Sequence, residues 1–237
     1  VAAIALNTFE ALTFDCYGTL VDWESGILSA LEPLREASGR STRDDQILER
    51  FAAAESELEA GEYRPYRDIL REVTAELVRY LDVSLDPSMA EVLADSMESW
   101  RPFPDTVGAL RELGRRYRLA IVSNVDDDLF AFSAKQLEVA FDCVVTSERV
   151  KSYKPSHRNF EAVIDRIGIA KEKILHVAQS LYHDIEPANA LGMSTVWVNR
   201  RKGRTGIGAT HPADATPTLE VPDLATLSRL VERAFSS

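Results

Sequence analysis

Short runs rich in Val, Ile and Leu recur along the chain, and after the second of them a helix-period stretch precedes each new run. The runs are 9–15, 117–123, 141–146, 173–178 and 194–199. Strands that are apolar almost throughout, each followed by a helix, are the pattern of a parallel sheet buried on both faces. The periodicity predicts helices over 105–116, 127–138, 156–168 and 184–191, and a closing amphipathic helix from Leu224 to Phe235.

One stretch breaks the rhythm. Residues 24–99 hold no convincing strand, only helix-period segments near 24–38, 43–60, 66–81 and 86–98. Gly61, Pro65 and the Asp86-Pro87 pair read as helix boundaries, and Arg101-Pro-Phe-Pro104 as the return to the sheet. The expected fold is α/β, a doubly wound parallel-sheet (Rossmann-like) core of residues 1–22 and 100–237. A helical insert at 23–99 interrupts it. The polar, Gly-rich stretch from Arg200 to Pro217 reads as an exposed loop. At 237 residues such a chain buries roughly 70–75% of its unfolded surface and needs no disulfide or metal staple.

Charge and cysteine content exclude several classes. The chain carries 27 Lys and Arg against 38 Asp and Glu, a net charge of −11. That field has the wrong sign for a nucleic-acid backbone, although a local basic pocket could still take a small anion. The excess acid is expected on the surface, chiefly on the helical insert and the Asp126-Asp-Asp128 run. Cys16 and Cys143 lack CxxC spacing, which suits a reducing cytoplasm and offers no zinc site. No apolar run reaches the roughly 18–20 residues of a membrane span. Val1 to Asn7 lacks the basic start of a secretion signal.

The chemistry is expected at the strand ends. Asp15 closes the first apolar run and a Gly18-Thr19 turn follows. Ligands of open α/β sheets bind beyond the carboxyl ends of the strands. Alone, Asp15 reads equally well as an ordinary turn residue. Ser123-Asn124 ends the second run, Lys154-Pro155 opens a helix after the third, and Asp184 follows the fourth. A carboxylate, a hydroxyl with an amide, a cation and a second carboxylate would then meet at one edge.

These residues resemble the haloacid dehalogenase superfamily of hydrolases. Asp15-Cys-Tyr-Gly-Thr-Leu20 is similar to its first motif, Ser123 to the second, Lys154 to the third, and Ser180 through Asp184 to Met193 to the fourth. The insert matches the family's small helical cap. The departures choose among its chemistries. The family's phosphatases carry a second Asp two residues after the nucleophile, which protonates the leaving group. Here that position is Tyr17, with a reference pKa near 10. The phosphatases also begin the fourth motif with Gly-Asp, whose Asp helps hold Mg²⁺. Here the pair is Ala178-Gln179, and a neutral amide is a poor ligand for that ion.

The first-motif form resembles the 2-haloacid dehalogenase branch, which implies a metal-free hydrolase without cofactor. In that picture Asp15 displaces halide from carbon and forms an ester that water then hydrolyses. Lys154 keeps Asp15 ionised, Asp184 orients Lys154 and the water, and Thr19 and Ser123 hydrogen-bond the carboxylates. Backbone N–H groups near Cys16, Tyr17 and Asn124 would hold the substrate's charge. Tyr17 and Trp23 are candidates to wall the pocket, and Ser180 and His183 to stand in for polar groups displaced by a longer fourth-motif spacing. His176 reads as a core histidine, and Phe160 stands where the branch has Tyr. The branch's substrate-binding cap arginine has no clear counterpart. Ungapped spacing lands near Ile47, and Arg50, Arg43 and Arg67 are the candidates. The resemblance implies a small anionic substrate and suggests a homodimer, while charge and the lack of a long apolar run speak against a nucleic-acid or membrane partner. A Mg²⁺-dependent phosphatase with altered motifs, or a binding protein that has lost turnover, is the alternative.

Overall fold

The first strand lies in the middle of the sheet. The computed structural model describes residues 4–84 and 89–236. Among these, β1 (Ala11–Phe14), β2 (Arg118–Ser123), β3 (Cys143–Thr146), β4 (Ile174–Ala178), β5 (Ser194–Val198) and β6 (Leu219–Val221) form one sheet. All neighbours run parallel, in the order β3-β2-β1-β4-β5-β6. The chain moves outward from β1 through β2 to β3, then returns to the other side of β1 for β4. That reversal opens a crevice at the carboxyl end of β1. Phe14 pairs with Ile121 and with Val177, so the three central strands end nearly level.

Strand periodicity sorts the side chains into two layers. Leu12, Phe14, Leu119, Ile121, Leu175 and Val177 point into the larger core. Ala11, Ala120, Val122 and Ile174 pack on the opposite face against Phe160, Val163 and Ile167 of α8, defined below. The expected strands are all present, trimmed at their ends. β6 is an addition: with three residues, one of them exposed, it carries too little apolar pattern to read in sequence.

The insert is helical as expected. It comprises α1 (Trp23–Ser38), α2 (Asp44–Glu59), α3 (Tyr66–Leu81), α4 (Val92–Ser96) and a 3₁₀ turn at Met97–Ser99. Asp22 caps α1, its side chain accepting from the Ser25 amide. Gly39 ends that helix at φ 61°, a conformation glycine adopts without strain. The segment expected at 86–98 is helical only from Val92, and the Asp86-Pro87 boundary lies outside the described residues. The remaining helices are α5 (Thr106–Leu113), α6 (Asp127–Leu137), α7 (Ser147–Val150), α8 (His157–Ile167), α9 (Glu186–Ala190) and α10 (Leu224–Ser236). None of the described helices is long and apolar enough to cross a membrane.

Polar contacts from the core seat the cap over the crevice. Asp126, at the start of α6, accepts from the backbone N–H groups of Tyr66 and Arg67 at 2.9 and 3.0 Å. A core carboxylate thus caps the first turn of α3. Asp126 is only 5% exposed, so this acid is structural, not part of the surface charge expected of its run. The Arg200–Pro217 segment is likewise less exposed than its composition predicts. Ala209 is fully buried, and its N–H donates to Glu24 of α1 at 3.0 Å. Arg200 donates to Asp105 at 2.7 Å and to the Thr19 carbonyl at 3.0 Å.

Gly26 in α1 faces the ring of Trp100, and a Cβ there would meet the ring atoms Cδ1, Cγ and Nε1 at 2.5–2.7 Å. Helix propensity alone favours Ala over Gly by about 1 kcal/mol, while overpacking a core costs about 1–3 kcal/mol. Gly26→Ala is therefore expected to lower the melting temperature. A rise in a thermal melt would contradict this packing.

Candidate active site

Four chain segments deliver the polar groups to the crevice. Asp15 follows β1, Ser123 ends β2, Lys154 follows α7, and Asp184 follows β4. The Lys154 ammonium donates to Asp15 Oδ1 at 2.8 Å, to Asp184 Oδ1 at 2.7 Å and to the Val122 carbonyl at 3.1 Å. Its three hydrogens are thereby used. Lys154 is 2% exposed and Asp184 0%. Asn124 clamps the lysine's backbone from both sides, accepting from its N–H at 2.7 Å and donating to its carbonyl at 3.1 Å. Asn124 lines the cavity as expected, but its amide is occupied in positioning Lys154 and Glu59.

Thr19 holds the other oxygen of Asp15, donating to Oδ2 at 2.6 Å while accepting from the Gln179 N–H at 2.8 Å. Asp184 sits on a wide π-helical turn, Leu181–Ile185, whose start is capped by Ser180 accepting from the His183 N–H at 2.8 Å. Such turns often mark functional sites. An ordinary helix was expected from 184. Pro187 has no N–H, and regular α-helical pairing begins only with α9. His176 lies beneath Asp184, 3.0 Å from Oδ1 through Nε2, with Nδ1 2.8 Å from the Thr13 hydroxyl. If Nε2–H donates to the carboxylate, Nδ1 is left to accept from Thr13. Phe160 meets the His176 ring edge to face at 5.2 Å. His176 is thus a buried core histidine, as its strand pattern predicts, and it also supports Asp184.

The electrostatics follow from burial around one cation. Burial works against the Lys154 ammonium, yet Asp15 and Asp184 raise its pKa above the ordinary lysine value. Burial also works against the Asp184 carboxylate, but Lys154 and His176 together hold it below its usual range. Asp15 is pushed up by burial, with the Lys154 ammonium pulling against that and the charge of Asp184 adding to it. Burial lowers His183 to about 4, so its imidazole is neutral at neutral pH.

These groups surround a small cavity of about 30 Å³, room for about two waters. Core residues Asp15, Tyr17, Ser123, Lys154, His183 and Asp184 line it, joined by Asn124, Ser180 and Thr210. The cap supplies Trp23, Glu55, Glu59 and Tyr66. Three buried polar atoms, Ser123 Oγ, His183 Nε2 and Asp184 Oδ2, have no hydrogen-bond partner. All three belong to residues that line this cavity, an arrangement suited to an occupant. A cleft of about 410 Å³ alongside shares Glu59, Lys154 and His183 with it.

Several expected binding residues lie elsewhere. Arg50 pairs with Glu76 beside a separate cleft on the cap. Arg43 pairs with Asp45, and Arg67 with Asp95 and Asp128. Ile47 is buried in the cap core. Among the described residues, no arginine lines the cavity. Cys16 is fully buried among apolar side chains and Thr19 is fully buried. Neither lines the cavity, and Thr19 acts through Asp15. The residues missed in sequence are Glu55, Glu59, Tyr66 and Thr210. The first two had a signal: Ile47, Phe51, Glu55 and Glu59 are spaced four apart, which places them along one face of α2.

The donor set does not fit a hard divalent cation. The cation between Asp15 and Asp184 is Lys154. The Tyr17 hydroxyl turns to Ser133 at 3.0 Å, and the Gln179 side chain accepts from Thr210 at 3.3 Å. Among the described residues, no cluster of three or more His, Cys, Asp or Glu side chains is arranged to hold a metal ion.

Burial lifts Glu55 from an ordinary 4.5 to about 8, against the hydrogen bond it accepts from Tyr66 of α3 and with a contribution from the charge of Asp15. Between those two values the folded chain keeps a proton that the unfolded chain has released. Stability from this group is therefore fully present below pH 4.5 and lost as pH rises through about 8. Glu55→Gln removes that dependence. Its melting temperature should match the wild type near pH 5 and exceed it at pH 8.5 by about 3 °C or more, equivalent to roughly 1 kcal/mol at this length. A gap that does not widen with pH would contradict the burial of this acid.

Comparison with known proteins shows the family. A family model described as haloacid dehalogenase-like hydrolase matches residues 9–192. An (S)-2-haloacid dehalogenase of Pseudomonas putida is 28% identical over 230 residues, covering 94% of this chain and 96% of that protein. Haloacetate dehalogenase H-2 of Moraxella sp. (strain B) is 28% identical over 198 residues, covering 82% and 88%. The fold is similar to that of the L-2-haloacid dehalogenase from Xanthobacter autotrophicus with chloropropionic acid covalently bound. The TM-score is 0.78 at 22% identity, with 94% and 98% of the two chains covered. With its strand-end constellation in place and the family model spanning most of its length, the chain belongs to the haloacid dehalogenase-like hydrolase family.

Proposed function

We propose that this chain is a metal-independent hydrolytic dehalogenase. It would release halide from small 2-haloacids of the haloacetate or 2-halopropionate type, or from close derivatives, through an ester on Asp15. One observation carries the reading: Asp15 is paired with Lys154, while Tyr17, two residues on, is hydrogen-bonded away from it. The position two residues after the nucleophile therefore lacks the acid that the family's phosphatases use to protonate the leaving group.

In the first step an Asp15 oxygen bonds to the halogen-bearing carbon, and halide departs with the bonding electron pair. Halide needs no proton, so Tyr17 suffices as a wall. In the second step water gives up a proton and attacks Asp15 Cγ. The acyl C–O bond breaks, the hydroxylated product leaves, and one oxygen of the water stays in Asp15. Asp184 Oδ2 is an unpartnered acceptor in the cavity and His183 Nε2 is likewise without a partner, so Asp184 is suited to receive the water's proton and His183 to help orient it. Lys154 balances the charge as it moves from carboxylate to ester and back. The similarity to named 2-haloacid dehalogenases over most of both chains supports the same reading.

Halide release from chloroacetate, 2-chloropropionate and their amides, followed with and without EDTA, tests the proposal. Turnover unaffected by EDTA, and reduced about 10³-fold or more in Asp15→Asn, is expected. Mg²⁺-dependent phosphate release with no halide from any of these compounds would contradict it.

A further inference from the structure

The reaction proposed above leaves open how the remainder of the substrate is held, and the cap answers with carboxyls. Glu55 and Glu59, one helical turn apart on α2, both line the cavity over Asp15. Glu55 is 3% exposed, and the Glu59 side chain 4%. Tyr66 donates to Glu55, and Asn124 donates to Glu59 at 3.0 Å. His183 Nε2 lies 3.6 Å from Glu59.

The charges fall out clearly. Asp15, Asp184, Glu55 and Glu59 share the cavity with a single permanent cation, Lys154, whose hydrogens are all used on Asp15, Asp184 and Val122. The guanidinium groups of Arg43, Arg50, Arg64 and Arg67 are paired with acids outside the cavity. A substrate carboxylate would enter a buried, acid-lined space without a free cation, and burying an unpaired charge is costly. A neutral group that donates hydrogen bonds would instead find acceptors on both glutamates.

We propose that Glu55 and Glu59 form the head-group site, and that it selects halogenated substrates whose head donates hydrogen bonds and bears no negative charge, 2-haloamides in preference to 2-haloacids. A carboxamide keeps the carbonyl that activates the adjacent carbon toward displacement, and its NH₂ offers two donors to the pair. Burial raises Glu59 well above the ordinary carboxyl range, with Glu55 adding to it, so a protonated member of the pair can also donate to the amide oxygen. Ser123 Oγ, buried and unpartnered in the same cavity, supplies a further polar contact.

The inference rests on the Asp15 ester reading, and one experiment separates the two. Halide release is measured for chloroacetamide against chloroacetate, and 2-chloropropionamide against 2-chloropropionate, each corrected for its uncatalysed rate. The amide is expected to exceed its acid by about tenfold or more in kcat/KM. In Glu59→Leu, with folding checked by circular dichroism, that ratio should shift toward the acid by about tenfold, because one acceptor for the amide NH₂ is gone. Faster turnover of the acids by the wild type, abolished in Asp15→Asn, would overturn the head-group assignment and leave the ester mechanism standing. An unchanged ratio in a folded Glu59→Leu would also overturn it. No halide from any of the four compounds would overturn both.

Discussion

One buried ammonium organises the molecule's active edge. Lys154 donates to an aspartate after β1, a carbonyl on β2 and an aspartate after β4. Those three strands are adjacent in the sheet, and their parallel register brings their ends level. The lysine therefore ties together what the sheet topology juxtaposes. Its own backbone is fixed by Asn124, and its partners are fixed by Thr19 and His176. Each ion pair is compensated by hydrogen bonds, the condition under which buried charge is tolerable.

That arrangement holds the Asp15 carboxylate against an ammonium, and the residue two positions on is a tyrosine, not an acid. Tyr17 and Gln179 occupy the places where two acids would otherwise serve phosphate chemistry, and each is hydrogen-bonded elsewhere. The acids lining the cavity from above come from the cap, through Glu55 and Glu59. A negative net charge says little about such a site. In the proposed reading, the head group is decided by the few charged and hydrogen-bonding groups that line the cavity over Asp15.

Much of this was legible in sequence because strand and helix patterns are local. Val/Ile/Leu-rich runs gave five of the six strands, and the motif order placed Asp15, Ser123, Lys154 and Asp184 at one edge. Legibility stopped where long-range packing decides. Arg50 reads as a substrate clamp on α2 until the structure turns it outward to Glu76. Glu55 and Glu59 read as solvated acids until the i+4 spacing from Ile47 and Phe51 is seen to run into the cavity. Thr210 lies in a stretch whose composition reads as exposed loop, yet the Glu24 and Gln179 contacts draw that loop over the site. Asp126 reads as surface charge and serves as a helix cap.

The claim on which the rest depends is that Asp15 becomes covalently bonded to the substrate's carbon and is freed by water. A single turnover in ¹⁸O-enriched water, with enzyme in excess over a 2-halogenated substrate, tests it directly. Mass analysis of the peptide carrying Asp15 should show one ¹⁸O in the carboxylate and unlabelled oxygen in the product's new hydroxyl. Label in the hydroxyl with none in Asp15 would mean that water attacks the carbon itself, and would contradict the role assigned to Asp15.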